Sequence, residues 1–194
     1  MNNFRWLGHL DTFPVMPRLH KSLPANWPPV KARGEMNDPH FGLGASLLLR
    51  AHNGITRENW LDDLPVLETH DLQQWASMKR LLAQAKKLVM SEPIARQLLS
   101  GEMGRAMVSR LDPGSTIFWH VDDGPYHQKH ARFHVALVTN PGCLVYSGPE
   151  MVHMPVGSLW YVNNRGRHWA ANWGHHYRLH LIFEMRKAEE ASDA

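Results

Sequence analysis

Residues 116–122 contain a histidine and an aspartate at alternate positions, His120 and Asp122. In a β-strand, residues two apart point to the same face, so this spacing directs an imidazole and a carboxylate at one point. Two histidines and one carboxylate on one side of an iron ion leave the opposite positions open to other ligands. The pattern therefore predicts a metal site whose third ligand is a distant histidine brought close by the fold.

The His-x-Asp pattern needs support from elsewhere in the sequence, because the chain has 14 histidines in 194 residues and such pairs arise by chance. Its alternative interpretation is the solvated end of a strand. The segment 168–178 supplies that support. It begins with His168, ends with Arg178 and leads into the apolar run 179–183.

Ordered elements between residues 105 and 186 resemble the aspartyl/asparaginyl β-hydroxylase family of iron(II), 2-oxoglutarate oxygenases. In chain order they are Ser109-Arg110-Leu111-Asp112-Pro113-Gly114, His120-Val121-Asp122, Arg132-Phe133-His134, Gly157-Ser158-Leu159-Trp160, His168 and, ten residues later, Arg178. Their order and spacing together are more specific than any single element.

The resemblance implies that His120, Asp122 and His168 ligate iron(II) and form the catalytic centre. Some animal members of the family lack the carboxylate, whereas Asp122 is present here, which favours the ordinary three-ligand site. The other reactants implied are 2-oxoglutarate as co-substrate and dioxygen.

The resemblance also implies a binding site for 2-oxoglutarate. Arg178 would bind the distal carboxylate, for which a planar guanidinium is suited because it donates two parallel hydrogen bonds and stays charged. Arg132 and His134 alternate on one strand face and match positions that help to hold the co-substrate. Ser109 matches a further contact to it.

Three histidines close to the third ligand and to the arginine also need an interpretation. His175 and His176 lie in a predicted turn, which favours surface positions over metal ligation. His180 shares a strand face with Arg178 and is expected to line the same pocket.

The segment 123–131 follows the His-x-Asp pattern directly and is polar. It includes His127 and His130. Two interpretations stay open, a lid over the metal site and a solvated turn, since functional loops are often placed at the mouth of a rigid scaffold.

From residue 105 onward, short strand-like runs alternate with turns containing Pro and Gly. The predicted strands are 106–111, 116–122, 132–139, 159–163 and 177–185. This pattern indicates an all-β sandwich or barrel with N-terminal helices packed outside it. The resemblance narrows the prediction to a double-stranded β-helix, a cupin-like jelly-roll barrel with iron near its mouth.

The N-terminal part of the chain is predicted to hold turns, a few short strands in residues 1–55, and helices. Thr56 would cap a short helix that ends at Pro65. After Asp71, apolar residues spaced by three and four predict a helix with a buried stripe, although such a basic helix could also lie on a membrane or a partner. These residues are Leu72, Trp75, Met78, Leu82, Ala85 and Val89. A second helix is predicted with Ser91 as its cap, Pro93 in its first turn and Gly101 past its end.

The length predicts one domain, 1–194, in which residues 1–104 pack on a catalytic core of 105–186 and 187–194 form a flexible tail. No apolar run approaches the roughly 18 residues of a membrane-spanning helix. The N-terminal sequence lacks the pattern of a secretory signal, and the single cysteine, Cys143, fits a reducing compartment. We therefore expect a cytoplasmic protein, and the sequence does not indicate its oligomeric state.

The function implied by the resemblance is hydroxylation of an amino-acid or peptidyl side chain of the Asp/Asn type, with release of succinate and CO2. One alternative is oxidative demethylation of nucleic acid, prompted by a net charge of +3 and a pI near 9.2. Against it, the sequence shows no stripe of Lys or Arg with interleaved aromatic residues. The other alternative is a cupin-like module that binds a metal or ligand without catalysis. A clamp formed by Arg178 and Arg132 argues against that module, since metal storage needs no carboxylate site.

Overall fold

The computed structural model describes residues 3–22, 44–54 and 59–189 of the chain. Its strands are β1 (Phe4–His9), β2 (Gly44–Ala51), β3 (Leu67–Glu68), β4 (Leu99–Leu111), β5 (Ser115–His120), β6 (His130–Val138), β7 (Cys143–Ser147), β8 (Glu150–Val152), β9 (Ser158–Val162), β10 (His168–Asn172) and β11 (Arg178–Lys187). Its helices are α1 (Met16–Ser22), α2 (His70–Gln73), α3 (Ala76–Ser91), α4 (Pro93–Leu98) and α5 (Pro125–Gln128), with a 3-10 turn at Phe13–Val15.

The strands form two antiparallel sheets that pack face to face. The larger sheet has the order β1-β9-β6-β11-β4-β2-β3, and the smaller has the order β5-β10-β7-β8. Apolar side chains from both sheets meet in one buried cluster, for example Leu111 and Ala136 with Val145 and Ala170. The predicted jelly-roll barrel with N-terminal helices is confirmed.

Strand β11 lies inside the larger sheet, paired with β4 on one side and β6 on the other. Its side chains alternate between two faces, as strand geometry requires. One face carries Leu179, Leu181, Phe183 and Met185, which join the core beneath the helices. The opposite face carries Arg178, His180, Ile182 and Glu184, so the polar and charged side chains of this strand enter the interior of the barrel.

The helix predicted after Asp71 is present, interrupted at Gln74 between α2 and α3. All six residues of its predicted apolar stripe are buried against the larger sheet, which confirms the core interpretation of that stripe. Among the residues that the structure describes, no helix is both long and apolar enough to cross a membrane.

Two details of the predicted second helix are wrong. Ser91 belongs to the last turn of α3, where its Oγ donates to the Leu88 carbonyl at 2.7 Å, and Glu92 precedes α4 in the capping position. Gly101 lies within β4 with a φ of +82°. Strand β4 therefore begins where this helix was predicted to end. The cap predicted at Thr56, for the preceding short helix, lies outside the described residues.

Two strands that precede residue 105 also belong to the larger sheet. Strand β1 pairs with β9, and β2 pairs with β4, so both belong to the larger sheet. At the other end, the Lys187 amide donates to the Lys129 carbonyl at 2.8 Å and the Ala188 amide to the Leu98 carbonyl at 2.9 Å. The predicted tail thus begins with residues bound to the barrel, and residues 190–194 are outside the described ranges.

Phe183→Ala is expected to lower the free energy of unfolding by about 3–5 kcal/mol, because it leaves a cavity in a packed core. Phe183 is fully buried and stacks on Phe133 with ring centroids 5.3 Å apart. Denaturant unfolding would measure the loss. The matched control is Phe13→Ala, since Phe13 is 75% exposed and its loss should change stability by about 0.5 kcal/mol or less. Equal effects in both variants would contradict the packing assigned to β11.

Candidate metal centre

His120 and His168 face each other across the pair formed by β5 and β10. Their ring centroids are 4.1 Å apart. Asp122 follows β5 and completes a group of three, with Oδ1 3.6 Å from His120 Nε2 and Oδ2 3.7 Å from His168 Nε2. The ligand atoms of all three residues lie within 4.8 Å of one another, which could hold one metal ion.

The backbone near Asp122 differs from the prediction of a continuous strand over 116–122. Strand β5 ends at His120, and the Asp122 amide donates to the Asn164 carbonyl at 3.2 Å. His120 and Asp122 therefore converge because the strand ends at His120 and the backbone of Asp122 is bound to Asn164.

Hydrogen bonds to carbonyl groups orient both histidine rings. His120 Nδ1 lies 2.7 Å from the Phe118 carbonyl, and His168 Nδ1 lies 3.0 Å from the Gly166 carbonyl. Each Nδ1 must donate, because a carbonyl can only accept. In a neutral ring with this tautomer, Nε2 carries the electron pair that metal ligation requires, and both Nε2 atoms lie close to Asp122.

The protonation states of His168 and Asp122 also suit a cation. Burial lowers the pKa of His168 to about 4, despite the opposing effect of Asp122, so the ring is neutral at pH 7. Burial alone would raise the pKa of Asp122, but the charge of Arg132 brings it below its ordinary value. The group therefore presents a neutral His168 imidazole and an ionised Asp122 carboxylate beside the ring of His120.

Asp122 is fixed by two donors that both contact Oδ2. Arg132 Nη1 donates to this oxygen, and Asn164 Nδ2 donates to it at 3.0 Å. Arg132 also donates from Nε and Nη2 to Glu184 Oε1, at 3.1 and 2.7 Å. The structure thus places Arg132, predicted as a co-substrate ligand, between two buried carboxylates.

Arg178 begins β11, and its side chain is almost completely buried, at 1% exposure. Within the described part of the chain, its Nε and Nη1 atoms have no hydrogen-bond partner. Burial lowers the pKa of Arg178 to about 10, which still leaves it charged at neutral pH. A buried charge without acceptors is costly, so the position is suited to an anion that supplies them.

His134 and His180 lie beside this arginine in the barrel interior. Their Nδ1 atoms are 3.3 Å apart, and the Nε2 atom of each is buried with no hydrogen-bond partner among the described residues. Burial lowers the pKa of both well below the ordinary value, and the charge of Arg178 lowers both further. Ser109, also buried, is opposite His180 in the register of β4 and β11. Thus all four predicted co-substrate residues, Ser109, Arg132, His134 and Arg178, are on the interior face of the larger sheet.

The segment 123–131 is only partly solvated, since some of its side chains are exposed and others are buried. It contains α5, and Tyr126, His127 and His130 are all buried. The Tyr126 hydroxyl accepts from the Arg105 amide at 2.7 Å, and the Arg105 guanidinium lies 3.6 Å from the centre of the tyrosine ring. The segment is therefore part of the packed wall next to the metal site.

His175 and His176 are exposed, which confirms their predicted surface positions. Two residues that contact the site were not predicted, Asn164 and Glu184. Glu184 could have been noticed because it occupies an even position in the strand, on the same predicted face as Arg178.

The side chains present fit an iron ion and a dicarboxylate co-substrate. Two imidazole nitrogens and one carboxylate form the ligand set of non-haem iron(II) oxygenases. The unpaired guanidinium of Arg178 supplies the cationic partner that a carboxylate needs.

Comparison with known protein families agrees with this geometry. Residues 45–188 match the family described as Aspartyl/Asparaginyl beta-hydroxylase. The chain belongs to the aspartyl/asparaginyl β-hydroxylase family. It is accordingly an iron(II), 2-oxoglutarate-dependent dioxygenase of the hydroxylase type, and this assignment argues against the non-catalytic cupin-like module.

Solved structures share the fold of this hydroxylase at low sequence identity. A 2OG-Fe(II) oxygenase family oxidoreductase from Burkholderia pseudomallei is 13% identical, with a TM-score of 0.65 over 99% of this chain and 89% of that one. A prolyl hydroxylase from Trichoplax adhaerens, in complex with a hypoxia inducible factor peptide fragment, is 11% identical, with a TM-score of 0.62 over 96% and 84%. A Pseudomonas putida prolyl-4-hydroxylase is 12% identical, with a TM-score of 0.53 over 97% and 95%. No curated protein matches the sequence.

Proposed function

We propose that this hydroxylase acts on an amino-acid or peptidyl side chain, with iron(II) bound by His120, Asp122 and His168 and 2-oxoglutarate bound by Arg178. The observation that carries the proposal is the buried guanidinium of Arg178, unpaired at Nε and Nη1 within the described residues, in the same barrel interior as the His-Asp-His group. A metal-binding barrel without a carboxylate co-substrate has no use for that charge.

When bound, iron(II) with 2-oxoglutarate and dioxygen supplies an oxidant that converts a substrate C–H bond to C–OH, while 2-oxoglutarate becomes succinate and CO2. The chain's own contribution is orientation and charge. The Phe118 and Gly166 carbonyls hold the two imidazoles in the ligating tautomer. The Oδ2 atom of Asp122 receives two hydrogen bonds, so Oδ1 is the oxygen presented beside His120.

Arg178, His134 and Ser109 are proposed to hold the co-substrate, and His180 is proposed to assist them. The Nδ1 atoms of His134 and His180 share one proton across 3.3 Å, so one ring donates and the other accepts. The donating ring then has a free electron pair at Nε2, and the accepting ring carries its proton there. The pair thus offers the pocket one donor and one acceptor without adding charge.

The substrate class is proposed from the family and from the fold relatives. Two of the fold relatives are named prolyl hydroxylases, and one was solved with a peptide fragment. These relatives support an amino-acid or peptidyl side chain, whereas the Asp/Asn type rests on the family description.

Nucleic-acid demethylation receives no support from the surface aromatic residues. Trp119, Tyr146 and Trp169 form a row with ring centroids 4.0 to 6.4 Å apart, and Arg167 lies 6.0 Å from Trp119. Trp119 directly precedes His120, Trp169 directly follows His168, and adjacent residues in a strand point to opposite faces. The row is therefore on the outer face of the small sheet, turned away from the metal ligands.

We expect succinate release, in the presence of ferrous iron and ascorbate, to be stimulated by at least one free amino acid or peptide in a screened panel. Mass spectrometry should show a gain of one oxygen atom in that compound. The control reaction omits the candidate substrate and measures uncoupled turnover of 2-oxoglutarate.

Methylated oligonucleotides provide the opposing test. We expect weak binding and no coupled succinate release. If phosphate contacts dominated recognition, affinity would fall linearly with the logarithm of salt concentration. Stoichiometric decarboxylation with methylated nucleic acid, together with an inactive amino-acid and peptide panel, would refute the proposed substrate class.

A further inference from the structure

A chain of buried ion pairs lies behind Asp122. Arg132, on β6, donates to Asp122 and to Glu184, which is on β11. Arg132 and Glu184 are directly opposite each other in the register of the two strands. All three side chains are buried, at 9% exposure or less, so water contributes little to screening their charges.

Glu184 changes the charge that the metal site presents. If Arg132 were paired with Asp122 alone, it would cancel the negative charge of that carboxylate. A site that binds a divalent cation needs that negative charge. With Glu184 present, one guanidinium lies between two carboxylates, and these three side chains together carry one net negative charge. At short range and low screening, this difference of one charge has a strong effect on cation affinity.

Glu184 also fixes the orientation of the guanidinium. Its Oε1 accepts from both Nε and Nη2 of Arg132, at 3.1 and 2.7 Å, which leaves Nη1 directed at Asp122 Oδ2. A guanidinium held along one edge cannot rotate without losing these bonds. The orientation of the Asp122 carboxylate therefore depends on a residue that does not contact the metal-ligand group itself.

This arrangement competes with the role that the sequence resemblance implies for Arg132. Each of its three side-chain nitrogens already donates to Asp122 or Glu184. Arg178, in contrast, has two nitrogens without a partner in the described part of the chain. Arg132 therefore uses three of its five N–H groups on the two carboxylates, whereas Arg178 has two nitrogens available to another acceptor.

We propose that Glu184, acting through Arg132, is a positioning residue that orients the metal ligand Asp122 and keeps the site negatively charged. The inference rests on the proposed assignment of Asp122 as a metal ligand. It predicts that loss of the Glu184 charge weakens metal binding, whereas binding of 2-oxoglutarate at saturating metal stays nearly unchanged.

The primary test is Glu184→Gln, which keeps the size of the side chain and removes its charge. Calorimetric titration with manganese(II) under fixed pH should show affinity at least about tenfold weaker than wild type, the range typical of lost outer-shell partners. The apparent KM for 2-oxoglutarate at saturating iron should stay within about twofold of wild type. Glu184→Asp, which keeps the charge, should recover part of the manganese affinity. Glu102→Gln, at an exposed position, is the matched control and should behave as wild type.

Arg132→Lys tests the same inference if Glu184→Gln does not fold. A lysine keeps the charge but cannot bind both carboxylates in one plane, so manganese affinity should again fall at least about fivefold. Circular dichroism and the unfolding midpoint would establish that each variant is folded.

Two results would overturn the inference. One is unchanged manganese affinity in a folded Glu184→Gln or Arg132→Lys variant. The other is a raised requirement for 2-oxoglutarate with normal metal affinity, which would return Arg132 to the co-substrate. Failure of the proposed function looks different, because then wild-type protein and a His168→Ala variant would bind manganese equally.

Discussion

His168→Ala is expected to abolish turnover and to weaken metal binding by more than about 100-fold, since even outer-shell changes commonly cost 10- to 100-fold. Its Nε2 lies 3.7 Å from Asp122 Oδ2, and its Nδ1 is held by the Gly166 carbonyl. Alanine removes a neutral nitrogen ligand that no other described side chain in the group can replace. Anaerobic titration with ferrous iron, or titration with manganese(II), would measure the loss.

His120→Ala should give the same result, because its ring occupies the matching position on the paired strand. His175→Ala is the control, since His175 is exposed and is not a predicted metal ligand. Unchanged metal affinity in both His120→Ala and His168→Ala would remove these residues from the metal site. A loss of metal affinity in the His175→Ala variant would instead indicate a different set of metal ligands.

Arg178→Lys is expected to raise the concentration of 2-oxoglutarate needed for half-maximal rate by roughly 30- to 140-fold. This range corresponds to about 2–3 kcal/mol for a charged hydrogen bond at about 1.4 kcal/mol per tenfold. Lysine keeps the positive charge but offers a point charge instead of two parallel donors. Initial rates of succinate formation across a range of 2-oxoglutarate concentrations would measure the change.

Metal affinity should be nearly normal in the Arg178→Lys variant, which distinguishes co-substrate binding from damage to the metal site. Arg80→Lys makes the same replacement at an exposed position and should leave the 2-oxoglutarate dependence unchanged. Wild-type dependence on 2-oxoglutarate in Arg178→Lys would end the assignment of this arginine to the co-substrate.

The sequence could predict the parts of the site that depend on local spacing and on the family resemblance. His120 and Asp122 are two residues apart, and the resemblance identified the distant His168 and Arg178. The structure brings the three metal-ligand candidates together. The fold class was also accessible, because turns containing Pro and Gly divide the second half of the chain into short strands.

The network around Asp122 could not be predicted, because it depends on pairing between distant strands. Glu184 lies opposite Arg132 through the register of β11 and β6, and 52 residues separate them in sequence. A similar limit applies to residues 123–131, whose polar composition suggested exposure to solvent. Arg105 and Glu184, from other strands, contact Tyr126 and His127, and these two side chains of the segment are buried.

The alternation along β11 has a consequence for how the protein can change over evolution. Substitutions at Leu179, Leu181 or Phe183 alter the hydrophobic core, whereas those at Arg178, His180 or Glu184 alter the chemistry of the cavity. The two sets can therefore vary independently by substitution. Insertion or deletion of a single residue within β11 would exchange the two faces, placing charges in the core and leucines in the cavity. Changes in length should consequently be tolerated in the connecting turns and eliminated by selection within this strand.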